Sequence, residues 1–302
     1  MTDGVTRGRA PNTLRAYRSD LRDFEGWCGD RAASAVPATP MTIAWYCTAL
    51  ADAGARASTI QRRLAAISLA HLVRGHVPSP TADLLVRTTV AGIRREIGTE
   101  PTQKAALVTA ELRRLLTATP ADTLAGRRDR ALLLLGFAGG LRRSELVALD
   151  VEDVRETVDG LSLRLRRGAT DQGREGDEVG IPFGQHPDTC PVRALRDWCR
   201  TAGITTGALF RAVNRHGRLA SERLSDGSVA RIVQRAALRA GLDPSQYAGH
   251  SLRSGLAATA ARCDAPEREI MRQGRWKSVA IARRYIRAAR LVAENPAAFC
   301  GL

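Results

Sequence analysis

One stretch, GTEPTQKAA at residues 98–106, lacks the apolar periodicity that runs through the sequence on either side of it. Apolar residues recurring every three to four positions mark the buried face of a helix, and a stretch without them has no face to bury. At 302 residues the chain is also longer than one ordinary core supports. The expected organisation is therefore a domain at 1–98, a linker at 99–106 and a second domain at 107–302.

Upstream of the linker the pattern predicts four helices. The first is capped by Asn12 and runs to about Cys28, with Leu14, Tyr17, Leu21 and Phe24 on one face and Arg15, Arg18 and Arg22 on the other. After the Pro-rich turn SAVPATP, a second runs from Met41 to Ala53 on a stripe of Ile43, Tyr46 and Leu50. Ser58 is expected to cap the third, STIQRRLAAISLAHLVRG, which ends at Gly75. A fourth, from about Ala82 to Ile97, is basic at Arg87, Arg94 and Arg95.

Downstream, Thr109 opens TAELRRLLTA, and RRDRALLLLGFAGG is so continuously apolar that it reads as a buried helix, broken at Gly139-Gly140. Arg142 follows that break, where the chain can bring it out of the core, and Glu145 at i+3 can hold its guanidinium by a charge-assisted bond. LSLRLRR alternates like a half-buried strand and EVGIPF follows as its partner across the turn GATDQGREGD; this hairpin is the only β-structure the pattern supports. TCPVRALRDWCRTAG and LSDGSVARIVQRAALRAG are amphipathic helices. In the last stretch, 248–287, His250 and Arg253 lie three apart on one helical face. A new helix is expected from Asp264-Pro266 with a stop at Gly274, and Ser278 is expected to cap VAIARRYIRAAR, which carries Tyr285. The fold class is thus mostly α with a small β-hairpin, in two domains.

Charge narrows the partner. The chain carries a formal net charge of +15, and of its 46 Lys and Arg residues only Lys104 and Lys277 are lysine. Arginine forks phosphates bidentately and reads guanine edges, so a nucleic acid is the expected ligand. Six cysteines show no CxxC pairing and no His spacing for zinc; they are expected to be reduced, mostly packed thiols of a cytosolic protein, with no metal site. No segment approaches a transmembrane length, the start has no signal-peptide apolar core, and no GxxxxGK[ST] points to a nucleotide cofactor.

The box GLRRSEL at 140–146, followed by His250, Arg253, Trp276 and Tyr285, resembles the catalytic signature of the tyrosine site-specific recombinases, the lambda integrase family. Within the family the likeness is to Cre-type members, which carry tryptophan where most relatives have a second histidine. The resemblance implies a helical core-binding domain ahead of an α+β catalytic domain, double-stranded DNA with an inverted-repeat site as partner, and a homotetramer on that DNA. It implies catalytic roles for Arg142, Glu145, His250, Arg253, Trp276 and Tyr285, without metal or cofactor. The first and third helices would lie in the major groove, which makes Thr13, Arg15, Gln61, Arg62 and Arg63 candidate DNA contacts; Arg231 and Gln234 are candidates on the LSDGSVARIVQ helix. Family members carry a lysine on the hairpin tip that protonates the departing 5′ oxygen, and here Ala169 stands in its place. The apolar tail LVAENPAAFCGL would dock into a neighbouring protomer.

These roles agree with what breaking a phosphodiester requires: a nucleophile, positive charge on the non-bridging oxygens, and proton traffic at the entering and leaving oxygens. Tyr285 would attack phosphorus and form a 3′-phosphotyrosine, Arg142 and Arg253 would hold the non-bridging oxygens, Trp276 would donate its indole N–H to one of them, and His250 would exchange a proton with Tyr285. Two alternatives stand beside a recombinase: a type IB topoisomerase-like enzyme with the same chemistry, and a DNA-binding accessory protein whose turnover is impaired, which Ala169 favours.

Overall fold

The computed structural model describes residues 11–98, 104–166 and 177–291, so Ala169, Arg167, Arg174 and the tail beyond Leu291 lie outside the described residues. Among the described residues the chain forms two compact units, 11–98 and the remainder downstream.

The first unit consists of α1 (Pro11–Gly29), α2 (Pro40–Asp52), α3 (Ala57–Val73) and α4 (Leu84–Ile97). The expected apolar faces are the ones that meet: Phe24, Ile43, Tyr46, Ile60, Ile67 and Val86 are almost wholly buried in one cluster. The helix starts differ from expectation. Asn12 lies inside α1, which already includes Pro11. Helix α2 is entered from Thr39, whose Oγ1 accepts the Thr42 N–H at 3.1 Å, with Pro40 as its first residue, a position where the missing N–H costs nothing. Ser58 does not cap α3, because Arg56 occupies that position and the helix starts at Ala57. Asp83 caps α4, accepting the Leu85 N–H at 2.8 Å. A wholly buried histidine locks α3 to the loop before α2: His71 Nδ1 donates to the Ile67 carbonyl at 2.8 Å and Nε2 accepts the Ala38 N–H at 2.9 Å. That pair of bonds requires the neutral ring.

The second unit is built around α6 (Leu124–Ala138), preceded by α5 (Thr109–Ala118) and followed by α7 (Arg143–Ala148). Residues Ala131 to Leu135 are all buried, which is why the sequence shows no polar face there. Helix α6 packs on α8 (Pro191–Ala202) and on α10 (Gly249–Arg262); α9 (Asp226–Arg239) covers α5 and α7. Helices α11 (Glu267–Gly274) and α12 (Val279–Arg290) close the unit against α10. Ser278 occupies the N-cap position of α12, but its side chain makes no capping bond.

The expected hairpin is present as β2 (Gly160–Leu165) and β3 (Asp177–Pro182), with Leu161 opposite Ile181 and Leu163 opposite Val179 on the buried face. It is not the only β-structure. An edge strand β1 (Val154–Thr157) pairs antiparallel with β2, and β4 (Arg211–Val213) pairs with β5 (Leu219–Arg223). Both additions are short and at most partly buried, so they carry no alternation to read; the Asp159-Gly160 pair, where the Val158-Asp159 turn enters β2, was the available signal. At the end of β2, Arg166 binds Asp150 Oδ2 at 2.6 Å and Asp153 Oδ1 at 2.8 Å, and Asp150 also accepts from Arg223. Among the described residues no helix is long and apolar enough to cross a membrane. Cys28, Cys47 and Cys190 are buried free thiols, whereas Cys263 is exposed.

Candidate active site

Helix α10 is the buried spine of the site. Its small residues let neighbours approach closely: the Leu107 carbonyl lies where a Cβ on Gly255 would stand, and Leu107 N–H donates to the Ser251 carbonyl at 2.9 Å. The first turn of α10 carries His250 and, one turn on, Arg253. Helix α12 presents Ala282 and Tyr285, three residues apart, to α10 and leaves Arg283, Arg284 and Arg287 outside, whereas Arg290 Nε donates to the Ala261 carbonyl of α10 at 2.8 Å. The result is a direct contact: His250 Nε2 and the Tyr285 hydroxyl are 2.9 Å apart.

Arg253 is 1% exposed. Its Nη1 donates to the Gly140 carbonyl at 2.6 Å, and its guanidinium lies 4.4 Å from the Trp276 ring centre, within cation–π range. Gly140, at φ +52°, turns the chain at the end of α6 and so sets the direction of that carbonyl. Burial, then the neighbouring Arg142, brings the Arg253 guanidinium down to about 10, still charged at neutral pH. Trp276 is itself buried, its ring laid across Gly274, where any Cβ would overlap it.

Arg142 stands at the N-cap of α7 with a side chain 49% exposed. As expected from the spacing, Glu145 holds it, taking its guanidinium on Oε1 and its backbone N–H on Oε2 at 2.8 Å. Burial acts to raise the Glu145 carboxyl, but Arg275 and Arg142 outweigh it and hold it below the usual carboxylate range. His250 is shifted down, first by burial and then by the charges of Arg253 and Arg142. The Tyr285 phenol is shifted up by burial, opposed by Arg284 and Arg253. A neutral imidazole thus faces a protonated phenol, beside two guanidiniums. This arrangement can take a proton from the phenol and stabilise negative charge next to it.

Two residues of the site were not anticipated. Arg275, the residue after the expected stop at Gly274, is in left-handed conformation (φ 53°) with its guanidinium bound to Glu145 Oε2 at 2.8 Å. Gln273 Nε2 donates to the Ala138 carbonyl at 2.9 Å and the Gly180 carbonyl at 3.0 Å, tying α11 to α6 and β3. The one signal in the sequence was a basic residue placed between a glycine and a tryptophan at a helix end. Lys104 Nζ donates to the Ser245 carbonyl at 2.5 Å and shares with Tyr285, Glu111 and Arg262 a cavity of about 320 Å³.

The candidate DNA contacts are spread differently. Arg15 and Gln61 are exposed on α1 and α3, and Thr13 is half-buried. Gln61 lines a groove of about 410 Å³ between α3 and α4 together with Arg87 and Arg94. Arg62 is exposed but paired with Asp20 at 2.6 Å. Arg63 is turned inward, held by Asp23 and donating to the Tyr46 hydroxyl at 2.6 Å, which gives it a packing role within the first unit. Arg231 is exposed and donates to Ser228 Oγ, whereas Gln234 is half-buried and donates to the Tyr247 carbonyl.

Known proteins resemble this chain along most of its length. Residues 106–291 match the Phage integrase family, and residues 4–69 match the Phage integrase N-terminal SAM-like domain. An integrase/recombinase XerD homolog of Selenomonas ruminantium is 40% identical over 293 residues, covering 96% of this chain and 86% of that protein. The recombinase Cre of Escherichia phage P1 is 25% identical over 294 residues, covering 91% and 84%, so the Cre likeness is real but weaker than that to the XerD homolog. The fold matches a lambda integrase dimer bound to a COC′ core site with a TM-score of 0.62 at 21% identity, over 93% of this chain and 90% of that one. Sequence, fold and the His250–Tyr285 contact beside two guanidiniums lead to one conclusion: this chain belongs to the phage integrase family and is a tyrosine recombinase, an enzyme that breaks and rejoins DNA.

Proposed function

We propose that the chain is a site-specific recombinase that cleaves each strand through a phosphotyrosine on Tyr285, and that Ala169 slows the cleavage step. The observation that carries the assignment of the nucleophile is the 2.9 Å contact between His250 Nε2 and the Tyr285 hydroxyl. His250, neutral, takes the phenol proton as the oxygen attacks phosphorus. Arg142 and Arg253 meet the two non-bridging oxygens, where charge grows in the transition state. Trp276 can donate only its indole N–H, which suits a phosphate oxygen and excludes it as acid or base. Glu145 orients Arg142. The phosphotyrosine conserves the energy of the broken bond, so rejoining needs no nucleotide.

The +15 charge supports a clamp on duplex DNA. In that clamp Thr13, Arg15, Gln61 and Arg62 of the first unit and Arg231 of the second face DNA. Exchange between two duplexes calls for four protomers, and a lambda integrase tetramer bound to a Holliday junction has the same fold at a TM-score of 0.61. An inverted-repeat target and a cytoplasmic location complete the reading. The two compact units support domains at 1–98 and 107–302 with a linker at 99–106, and an accessory role is favoured by Ala169 alone.

The test is incubation with a library of inverted-repeat duplexes, capture of covalent adducts, sequencing of the captured DNA and mapping of the modified residue. Adducts on Tyr285 at one enriched sequence support the proposal. Adducts on Tyr17, Tyr46 or Tyr247 refute the nucleophile, and adducts without sequence preference point to the topoisomerase-like alternative.

A further inference from the structure

Three guanidiniums and one carboxylate form a continuous chain of bonds in the second unit. Arg142 binds Glu145 Oε1; Arg275 Nη2 binds Glu145 Oε2 at 2.8 Å and the Gly140 carbonyl at 3.1 Å; Arg253 Nη1 binds that same Gly140 carbonyl at 2.6 Å. The two guanidiniums assigned to the phosphate are therefore linked only through Arg275 among the bonds described here, and Arg275 also reaches the Gly139 carbonyl at 3.2 Å and its own Gln273 carbonyl at 2.8 Å.

The position of Arg275 is unfavourable for an arginine on local grounds. It follows the last residue of α11 in left-handed conformation, φ 53° and ψ 43°, where glycine is the usual choice. Its side chain is 10% exposed, and its Nε has no hydrogen-bond partner. A helix stop alone asks for none of this. A glycine would end the helix with less strain, and a lysine could supply charge but not a planar fork that reaches a carboxylate and three carbonyls together. Arg142 and Arg253 also repel each other while no phosphate lies between them, so their spacing must be imposed by the protein. With Glu145 as the one acidic group in the chain of bonds, the net positive charge is kept for the substrate.

We infer that Arg275 is a positioning residue of the recombination reaction, which fixes the Arg142 and Arg253 guanidiniums at their mutual spacing through Glu145 and the Gly140 carbonyl. The inference rests on the assignment of Arg142 and Arg253 to the scissile phosphate.

The test uses the full chain and the duplex enriched by adduct capture, synthesised with sulfur at the 5′ leaving position so that no proton donor is needed. Adduct formation in a single turnover, DNA affinity and thermal unfolding are measured for Arg275→Ala, Arg275→Gly and Arg275→Lys, each with and without Arg142→Ala. A misplaced reacting group costs about 10²-fold, so Arg275→Ala and Arg275→Gly should slow adduct formation by about that factor at unchanged DNA affinity. Glycine accepts the left-handed backbone, so the Gly variant separates this loss from a folding defect. Arg275→Lys should stay slow, and in the Arg142→Ala background none of the three should slow the reaction much further. Losses that add to that of Arg142→Ala, full activity in Arg275→Lys, or slowing that only tracks melting would overturn the inference. No adduct from the unmodified chain on any duplex would overturn the phosphate assignment itself, and this inference with it; that outcome is recognisable because it does not depend on residue 275.

Discussion

His250 Nε2 lies 2.9 Å from the Tyr285 hydroxyl, and the two residues, on separate helices, are 35 positions apart in sequence. With the imidazole shifted down and the phenol shifted up, the pair rests as a neutral ring beside a protonated hydroxyl. The contact gives the first expectation directly. Tyr285→Phe should keep DNA binding and lose every covalent adduct, with unfolding changed by no more than about 1 kcal/mol, the net worth of one hydrogen bond. Gel-shift, adduct capture and thermal melting check the three parts.

The pH profile follows from His250. Its folded value lies below the ordinary histidine value, so the ring is neutral at pH 7 and takes up a proton only in acid. Adduct formation should be level near pH 7 and fall as pH drops, with a midpoint below about 6.5. His250→Gln should be slower by about 10²–10⁴-fold and should lack that acid limb. A limb centred above neutrality would assign the base elsewhere.

Arg142 and Arg253 should separate when stability is measured beside rate. Removing either charge should cost about 10²–10³-fold in adduct formation. Arg142, half-exposed, should unfold like the parent when replaced by alanine, within about 0.5 kcal/mol. Arg253→Ala strips a bond from the Gly140 carbonyl and uncovers the Trp276 face, and should lose about 2 kcal/mol or more. Equal melting of the two variants would contradict this.

Ala169 cannot donate a proton, and the 5′ alkoxide leaves poorly without one. Arg166, at the end of β2, is committed to Asp150 and Asp153. Ala169→Lys should therefore speed cleavage of ordinary DNA by about 10²–10⁴-fold, and a 5′-thio leaving group should largely erase the difference. EDTA should leave both rates unchanged. Brisk cleavage by the unmodified chain that disappears in Lys104→Met would instead assign the proton to Lys104, which shares a cavity with Tyr285.

His71 makes a prediction about acid stability. Burial lowers it, and the bond it accepts from Ala38 N–H cannot survive protonation of Nε2. Below about pH 6.5 the unfolded chain takes up a proton that the folded ring refuses, so stability falls as pH falls through that value. Thermal melts between pH 7.5 and 5 should show a shallower fall in His71→Gln, which starts less stable at neutral pH.

Helix positions and faces were legible because apolar spacing alone decides them: Phe24, Ile43, Tyr46 and the run at 131–135 are buried as their periodicity implies. Helix starts were less so. Ser58 looked like a cap, yet α3 already begins at Ala57 and Arg56 holds the cap position without a side-chain bond. Strands β1, β4 and β5 escaped because exposed edges need no alternation. Within the site, His250, Arg253 and Tyr285 announce their chemistry by type. Arg275 does not, since one arginine among so many becomes distinctive only when its backbone angle and its partners are seen.

The ring of Trp276 rests on Gly274 and forms the lid over Arg253. A tryptophan here is therefore a wall over that guanidinium. A histidine in its place could offer an N–H to the phosphate, but its smaller ring would leave a gap over Gly274 and admit water to the guanidinium. In this chain the indole is matched to the glycine floor beneath it, and an exchange of ring would have to change both positions.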